Sequence, residues 1–146
     1  QIPDLEGQSW IDGVASGPLV VANLTVASHL LGSSHVPDLK GAILILEDVE
    51  EAPYRIDRML THWRLTGLLQ RLAGLGFGSF EGCAAPEQIP RDQTFQLEEV
   101  LKERSVDLGI PVVGKLPVGH CCGNAALPLG RKAQLDGNHG RLMLLN

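Results

Sequence analysis

The most apolar stretch of the chain is Ala42–Leu46, five consecutive residues without a polar position. A short uninterrupted apolar run of this kind predicts a strand that is buried on both of its faces. The run ends in a cluster of acidic residues, Glu47, Asp48, Glu50 and Glu51. After Pro53 the spacing of apolar side chains changes to that of a helix, which we predict over Tyr54–Leu72. The positions that share its apolar face are Ile56, Leu60, Trp63 and Gly67.

Weaker patterns predict further elements on both sides of this strand and helix. Asn23 is a typical N-cap residue, and the apolar spacing after it predicts a helix that Gly32 ends. The segment Gln1–Gly17 is polar and glycine-rich, which indicates an entry strand or a linker, and Gly17-Pro18 punctuates the chain there. Further strands are predicted at Leu75–Phe80, Ile110–Val113, Lys132–Leu135 and Arg141–Leu145, and a further helix at Phe95–Ser105.

Strands and helices alternate along most of the chain, and the last two strands flank a turn at Asp136–Gly140. Alternation is typical of parallel strands joined by helices, whereas two strands joined by a tight turn form an antiparallel hairpin. We therefore predict an α/β (mixed) fold with a mixed sheet and a C-terminal β-hairpin. A chain of 146 residues has room for one domain.

The composition argues against two classes of function. The chain carries 12 basic and 17 acidic side chains, a net charge of −5, and has no block of basic residues. We therefore expect no nucleic acid among its partners. The longest apolar run is far shorter than the roughly 20 residues of a membrane-spanning helix, so we expect no membrane partner either. The chain begins at Gln1 rather than at Met and has no signal-peptide pattern, which suggests a piece of a longer protein.

The cysteine content indicates a reducing compartment. Three cysteines, Cys83, Cys121 and Cys122, are too few and too oddly numbered for a secreted disulfide scaffold, so a cytoplasmic location is expected. The triplet formed by His120 and the two cysteines after it lacks the two-residue gap by which two thiolates bind one zinc ion. We expect no metal site and no cofactor.

Glu47 is the first candidate for chemistry because it closes the most apolar strand. Open α/β sheets bind their ligands at this end of their strands, and a carboxylate there is partly withdrawn from water. A structural alternative is that Glu47 or Asp48 caps the helix near Tyr54, or pairs with Arg55 or Arg58.

His120 is the second candidate because it lies in a glycine-rich turn between small residues. An acid that orients an imidazole makes two thirds of a nucleophilic triad. A lone histidine on a loop is commonly just solvated, which is the structural alternative for His120. The other four have no companion at a telling interval: His29 and His62 lie in helical patterns, His35 in a polar loop and His139 at a hairpin tip. No serine of the chain stands in a glycine-flanked nucleophile elbow. The chain is therefore expected to donate the acid and the base, with the nucleophile elsewhere.

The strings around these residues occur together in one known family. The segment from Gly41 to Arg58, with Glu47-Asp48 and Tyr54-Arg55 within it, resembles the signature of the LD-carboxypeptidases. This serine peptidase family also contains the microcin-immunity proteins. Other strings agree in the same order: Asn23-Leu24-Thr25, Gly32 with Pro37-Asp38, Gly109 to Val112, Gly119-His120, Leu127 to Gly130, and Ala133 to Asp136.

The resemblance implies a two-domain serine peptidase of which residues 1–146 are the C-terminal domain, a swivelling β/β/α fold. The family's nucleophilic serine belongs to an N-terminal domain absent from this chain. Its Ser-Glu-His triad would take Glu47 and His120 from here. The implied reaction removes the terminal D-alanine from a murein tetrapeptide during cytoplasmic recycling of cell-wall peptides. The expected partners are the murein peptide, the N-terminal domain and a second copy in a homodimer.

Two alternatives to this function stay open. A member of the same family could hydrolyse a peptidyl-nucleotide of the microcin type, or the chain could be a non-catalytic binding or dimerisation module. One departure from the family pattern is Val21-Ala22, where two glycines often precede the Asn-Leu pair. It favours an N-cap role for Asn23 over contact with a ligand. Arg55 and Arg58 are interpreted as structural charge partners on their helix.

Overall fold

A computed structural model describes residues 3–36, 38–49, 51–80, 91–119 and 130–145, with the backbone alone for residues 91–96. Within these ranges, eight strands, three α-helices and one short 3-10 helix are present. The strands are β1 (Leu5–Glu6), β2 (Gln8–Ile11), β3 (Val14–Asn23), β4 (Ile43–Glu47), β5 (Gly74–Phe77), β6 (Val112–Gly114), β7 (Lys132–Asp136) and β8 (Arg141–Leu144). The helices are α1 (Leu24–Ser28), α2 (Pro53–Leu65), the 3-10 turn Leu69–Arg71 and α3 (Arg91–Glu103).

The strands form one mixed sheet in the order β1-β8-β7-β3-β4-β5-β6-β2. Strands β3, β4, β5 and β6 at its centre are parallel, and the other four pair antiparallel to their neighbours. Strands β7 and β8 form a hairpin in which Leu135 lies opposite Leu142. The predicted α/β (mixed) fold, mixed sheet and C-terminal hairpin are therefore confirmed.

The sheet curls back on itself through the first strands of the chain. Only Gly7 separates β1 from β2, and yet these two strands occupy the opposite ends of the strand order. The N–H of Gly7 donates to the carbonyl of Gly140 at 2.8 Å, while a Cβ at this position would overlap the carbonyl oxygen of Gly114. A glycine is therefore required where the chain passes from one end of the sheet to the other.

The core has an inner and an outer layer, divided by the sheet. On β4, Ile43 and Ile45 belong to a cluster that strands β1, β3, β6, β7 and β8 also supply, which makes it the inner layer. Leu44 and Leu46 face the opposite way and pack with Ile56 and other residues of the helices. Every residue of β4 is buried, as the uninterrupted apolar run predicts.

Glycines on β5 make room for the inner layer. A Cβ on Gly74 would lie 3.0 Å from Leu135 Cδ2, and one on Gly76 would lie 2.8 Å from Leu116 Cδ1. The bulky side chains of Leu135 in β7 and of Leu116 after β6 therefore fill the space that β5 leaves empty. At Gly78, just after this strand, the Val118 carbonyl occupies the same kind of space, so another stretch of backbone approaches closely there.

The interpretation of Gln1–Gly17 as an entry strand or linker is too simple. This part of the chain contains β1, β2 and the beginning of β3. Gly17-Pro18 does not interrupt β3, because the missing side chain at Gly17 leaves room for the carbonyl of Gly41. Two-residue and four-residue edge strands have too little apolar alternation to be recognised from sequence.

Both predicted helices around β4 are shorter than their patterns indicate. Helix α1 begins after the predicted N-cap Asn23 but ends at Ser28, before Gly32. Helix α2 ends at Leu65, and Gly67 with its φ of +79° turns the chain into the 3-10 segment. No helix in the described ranges is long and apolar enough to cross a membrane.

Candidate active site

Glu47 ends β4 at the carboxyl edge of the four parallel strands, as predicted. It lies opposite Asn23 of β3 in the parallel ladder, and its side chain is 6% exposed. Because side chains alternate along a strand, Glu47 projects on the same side of the sheet as Ile43 and Ile45. The carboxylate is therefore placed at one end of the inner layer of the core, largely withdrawn from water.

The segment before His120 packs directly against this carboxylate side chain. A Cβ added to Gly119 would lie 3.1 Å from Glu47 Cβ, 3.3 Å from Glu47 Cγ and 3.2 Å from Ser79 Cβ. The φ of Gly119 is +123°, a conformation that L side chains rarely adopt. Two independent constraints, backbone conformation and lack of space, therefore require glycine here. His120 itself lies outside the described residues, so its contact with Glu47 stays a prediction.

Backbone hydrogen bonds hold this segment in place beside β4 and β5. The N–H of Leu116 donates to the carbonyl of Phe77 at 3.0 Å, and the N–H of Ser79 donates to the carbonyl of Val118 at 2.6 Å. The N–H of Gly78 in turn donates to the carbonyl of Leu46 at 2.8 Å. The strand end that carries Glu47 and the segment that leads to His120 are thereby joined through the residues after β5.

Asp48 is buried more completely than Glu47, with 2% of its surface exposed. Its Oδ2 accepts hydrogen bonds from the Thr25 N–H at 2.9 Å and the Thr25 hydroxyl at 2.5 Å. Its Oδ1 accepts from the Val49 N–H at 2.8 Å and from Asn23 Nδ2 at 3.3 Å. All four groups are donors, so both carboxylate oxygens are satisfied by partners that an ionised carboxylate fits.

The structural alternative in which Asp48 caps α2 is wrong, because Asp48 bonds to the first turn of α1 instead. Thr25 is the second residue of α1, and its N–H is one of those that a helix leaves without an internal partner. The N-cap of α2 is Ala52, which offers no side-chain hydrogen bond, and Pro53 follows it. Sequence spacing pointed to the nearest following helix, whereas the fold brings a preceding one to this strand end.

Asn23 has the N-cap role that the sequence predicts. Its Oδ1 accepts the Val26 N–H at 3.0 Å, and its amide nitrogen donates to Asp48. The two residues before it, Val21 and Ala22, lie in β3 and pair with Ile45 and Leu46 of β4. Their side chains are partly buried and pack against the core, Val21 in the inner layer and Ala22 in the outer one.

Arg55 and Arg58 form a surface cluster around one aromatic ring. Their guanidinium carbons lie 5.9 Å and 5.8 Å from the centre of the Tyr54 ring. Arg55 also lies 3.9 Å from Glu51, and its hydrogen bond to the Tyr54 hydroxyl lowers the pKa of that tyrosine. The cluster lines an open cleft of about 310 Å³ on the helix side of the sheet, opposite to the side on which Glu47 projects. Its contacts fit the predicted role of charge partners on the helix.

The other histidines are exposed. His29, His35 and His62 lie on the surface, and His139 bonds to Asp136 through Nδ1 at 2.8 Å in the hairpin turn. This hydrogen bond lowers the pKa of Asp136. Over the parts of the chain that are described, no three His, Cys, Asp or Glu side chains are grouped to hold a metal ion. The three cysteines lie outside those parts.

One serine lies beside the candidate residues although its sequence context gave no reason to single it out. Ser79 follows β5, is half-buried, and shares the Gly119 contact with Glu47. The signal that could have found it is the glycine pair Gly76 and Gly78, which marks a place where other backbone comes close. It has no nucleophile-elbow sequence around it.

Comparison with known proteins places the chain in a family. The sequence profile of the LD-carboxypeptidase C-terminal domain matches residues 16–135. "Putative carboxypeptidase slr1534" of Synechocystis is 52% identical over 141 residues, which cover 97% of this chain and 46% of that protein. The murein tetrapeptide carboxypeptidase of Pseudomonas aeruginosa is 36% identical, over 86% of this chain and 39% of its own length. The microcin C7 self-immunity protein MccF of Escherichia coli is 28% identical, over 85% of this chain and 35% of its length.

The solved structures agree with the sequence comparison. The muramoyltetrapeptide carboxypeptidase of Oxalobacter formigenes superposes with a TM-score of 0.81 at 31% identity, covering 97% of this chain and 48% of that one. The chain thus spans about half the length, or less, of the relatives that it matches. The predicted resemblance is confirmed: the chain belongs to the LD-carboxypeptidase family and matches its C-terminal domain.

Proposed function

We propose that this chain supplies the acid and the base of a Ser-Glu-His triad to a serine-type carboxypeptidase. The enzyme would remove the terminal D-alanine from murein tetrapeptides. The observation that carries the proposal is the packing of Gly119 against Glu47. His120 follows Gly119 directly in the chain, which supports a contact between its imidazole and the Glu47 carboxylate.

The proposed mechanism gives each residue one task. Glu47 accepts a hydrogen bond from one imidazole nitrogen of His120 and so fixes the orientation of the ring. The other nitrogen takes the proton of a serine hydroxyl as that oxygen attacks the peptide carbonyl, and later gives a proton to the departing amine of D-alanine. Withdrawal of Glu47 from water supports this role, since a buried carboxylate stabilises the imidazolium more strongly than an exposed one.

The nucleophile is proposed to come from a separate N-terminal domain. In support, the chain spans 46% of its Synechocystis relative, and its serines lack the sequence context of a nucleophile elbow. The same proposal includes cytoplasmic murein recycling, in which the enzyme acts as a homodimer. Ser79 offers a control because its side chain, like that of Glu47, lies against Gly119.

The test uses a chimera in which this chain replaces the matching region of the Synechocystis relative. Release of D-alanine from a murein tetrapeptide is measured for the chimera and for its Glu47→Gln and His120→Ala variants. We expect both variants to lose about 10³-fold or more in kcat, as other triads do. Ser79→Ala and the exposed His139→Ala serve as matched controls and should keep the activity of the chimera.

Two results would contradict the proposal. Near-normal turnover by His120→Ala would show that the imidazole is not the base. Inactivation by Ser79→Ala in a stably folded chimera would show that the nucleophile belongs to this chain. The first result would favour the alternative in which the chain is a non-catalytic binding or dimerisation module.

A second candidate function is hydrolysis of a peptidyl-nucleotide, favoured by the likeness to the microcin C7 self-immunity protein. The same chimera assayed on an aminoacyl-nucleotide conjugate separates the two. A larger kcat/KM on the murein tetrapeptide supports the first candidate, and a larger value on the conjugate supports the second.

A further inference from the structure

Glu47, the last residue of β4, and Asp48, which follows it, project on opposite sides of the sheet. Glu47 lies on the side of the inner core layer and contacts Gly119. Asp48 bonds to Thr25 on the outer side, where α1 packs. One peptide bond therefore joins the candidate catalytic acid to a carboxylate that is anchored elsewhere in the fold.

We propose that Asp48 is a positioning residue that sets the place of Glu47 by anchoring the end of β4 to the first turn of α1. The proposal rests on the function proposed above, because it assigns Asp48 a role in the same site. Asp48 does not touch the reacting atoms and acts only through the backbone that it shares with Glu47.

The anchor has contacts on both sides of the β4 end. The Asp48 N–H donates to the carbonyl of Ser79 at 3.1 Å, so the backbone is tied to the segment after β5. Its side chain binds the N–H and hydroxyl of Thr25, and the side-chain amide of Asn23. Asn23 is also the ladder partner of Glu47, so the anchor reaches the neighbouring strand directly beside the acid.

The chemistry of this site requires a carboxylate rather than an amide. Each oxygen of Asp48 accepts two hydrogen bonds, from Thr25 on Oδ2 and from Asn23 and Val49 on Oδ1. An asparagine would turn its NH₂ group toward one of these donor pairs in either orientation of its amide. A buried N–H facing a backbone N–H cannot be satisfied, so the loop after β4 has to move.

The position of Glu47 responds to that movement. Misplacement of a catalytic group by about 1 Å costs up to about 100-fold in rate. We therefore expect Asp48→Asn in the chimera to lower kcat about 10-fold to 100-fold. KM should stay within about twofold, because substrate binding does not use the orientation of the triad. Thr25→Val removes only the hydroxyl donor and should lower kcat by a smaller factor than Asp48→Asn does. Thr25→Ser keeps the hydroxyl and should retain the kcat of the chimera.

A matched control shows whether a lower kcat of Asp48→Asn comes from lost stability or from misplacement of Glu47. Leu101→Ala in α3 removes a buried side chain that makes none of the hydrogen bonds of Asp48, and it should lower the melting temperature. If Asp48 is a positioning residue, Leu101→Ala retains the kcat of the chimera, whereas Asp48→Asn lowers it. Amide hydrogen exchange gives an independent readout, since the Thr25 N–H should exchange faster in Asp48→Asn and at an unchanged rate in Leu101→Ala.

The outcomes distinguish this inference from the proposed function. Wild-type kcat in Asp48→Asn and Thr25→Val, together with an inactive Glu47→Gln, would overturn the positioning role alone. Full activity of Glu47→Gln would overturn the proposed function and leave nothing to position. Should Asp48→Asn fail to fold, the comparison of Thr25→Val with Thr25→Ser decides, because a hydroxyl effect on kcat supports the role and equal kcat values overturn it.

Discussion

Gly119 packs its backbone against the side chain of Glu47, with so little space that a Cβ would lie 3.1 Å from the Glu47 Cβ. This contact joins two segments that are distant in sequence and that the family resemblance names as carriers of the acid and the base. The contact also constrains the acid, since the Glu47 side chain cannot move toward Gly119 without a clash.

Substitution of Gly119 should therefore impair activity more than substitution of another glycine with positive φ. Gly119→Ala places a methyl group against Glu47, and we expect kcat of the chimera to fall about 10-fold to 100-fold. Gly109→Ala is the matched control, because its φ is +76° but a Cβ there meets nothing within 4 Å. Equal kcat losses in the two variants would contradict a specific role of the Gly119 contact.

The central strand should dominate the stability of the domain. Leu44 is fully buried between the sheet and the helices, so Leu44→Ala is expected to lower the free energy of unfolding by about 2–5 kcal/mol. Leu65→Ala makes the same chemical change at an 82% exposed position and should alter it by less than about 0.5 kcal/mol. Denaturant unfolding measures both, and similar losses for the two variants would be inconsistent with the described core.

Lys115 is a non-glycine residue in the left-handed region, with a φ of +55° at the end of β6. Lys115→Gly should stabilise the chain by up to about 1 kcal/mol because glycine adopts this conformation without strain. Its exposed pair with Glu98, 3.8 Å apart, contributes little. Lys115→Ala keeps the strain and loses the pair, so it should be no more stable than the wild type in thermal unfolding. A lower melting temperature for Lys115→Gly than for Lys115→Ala would contradict this.

One ion pair predicts a dependence of stability on pH. The side chain of Arg64 in α2 bonds to both oxygens of Asp107 beyond α3, and this lowers the pKa of Asp107 below its ordinary value of 3.8. A depressed carboxyl pKa contributes stability at pH values above the ordinary one, and this contribution is lost as the pH falls through the lowered value. The melting temperature of Asp107→Asn should lie below that of the wild type at neutral pH. The difference should close below pH 3.8 and shrink in high salt. A melting-temperature difference that persists below pH 3.8 would show that the Arg64–Asp107 pair is not its source.

The sequence is informative about this fold where burial is continuous. The run Ala42–Leu46 predicted β4 correctly because strands buried on both faces carry no polar residue, and Asn23 predicted the start of α1 through its capping oxygen. The edge strands β1 and β2 could not be predicted, since their pairing depends on closure of the sheet around Gly7. The end of α2 was misjudged because apolar side chains after Gly67 continue the pattern in a 3-10 turn.

The candidate site was predictable in part for a similar reason. The position of Glu47 follows from the strand that it ends, and the pattern alone locates it. Asn23 and Thr25, which bind the side chain of Asp48, lie more than twenty residues earlier in the chain, and the register of β3 against β4 brings them to it. Such tertiary contacts leave no periodic signal in the sequence, so the pattern offers only the following helix as a place for Asp48 to cap.

The most direct measurement of the central claim is a double-mutant cycle on Glu47 and His120 in the chimera. If the two side chains act as one acid–imidazole unit, Glu47→Gln combined with His120→Ala should lower kcat no further than His120→Ala alone. The contradicting result is a double variant whose kcat lies below that of His120→Ala by the full factor lost in Glu47→Gln. Such multiplied losses would show that the two residues act independently.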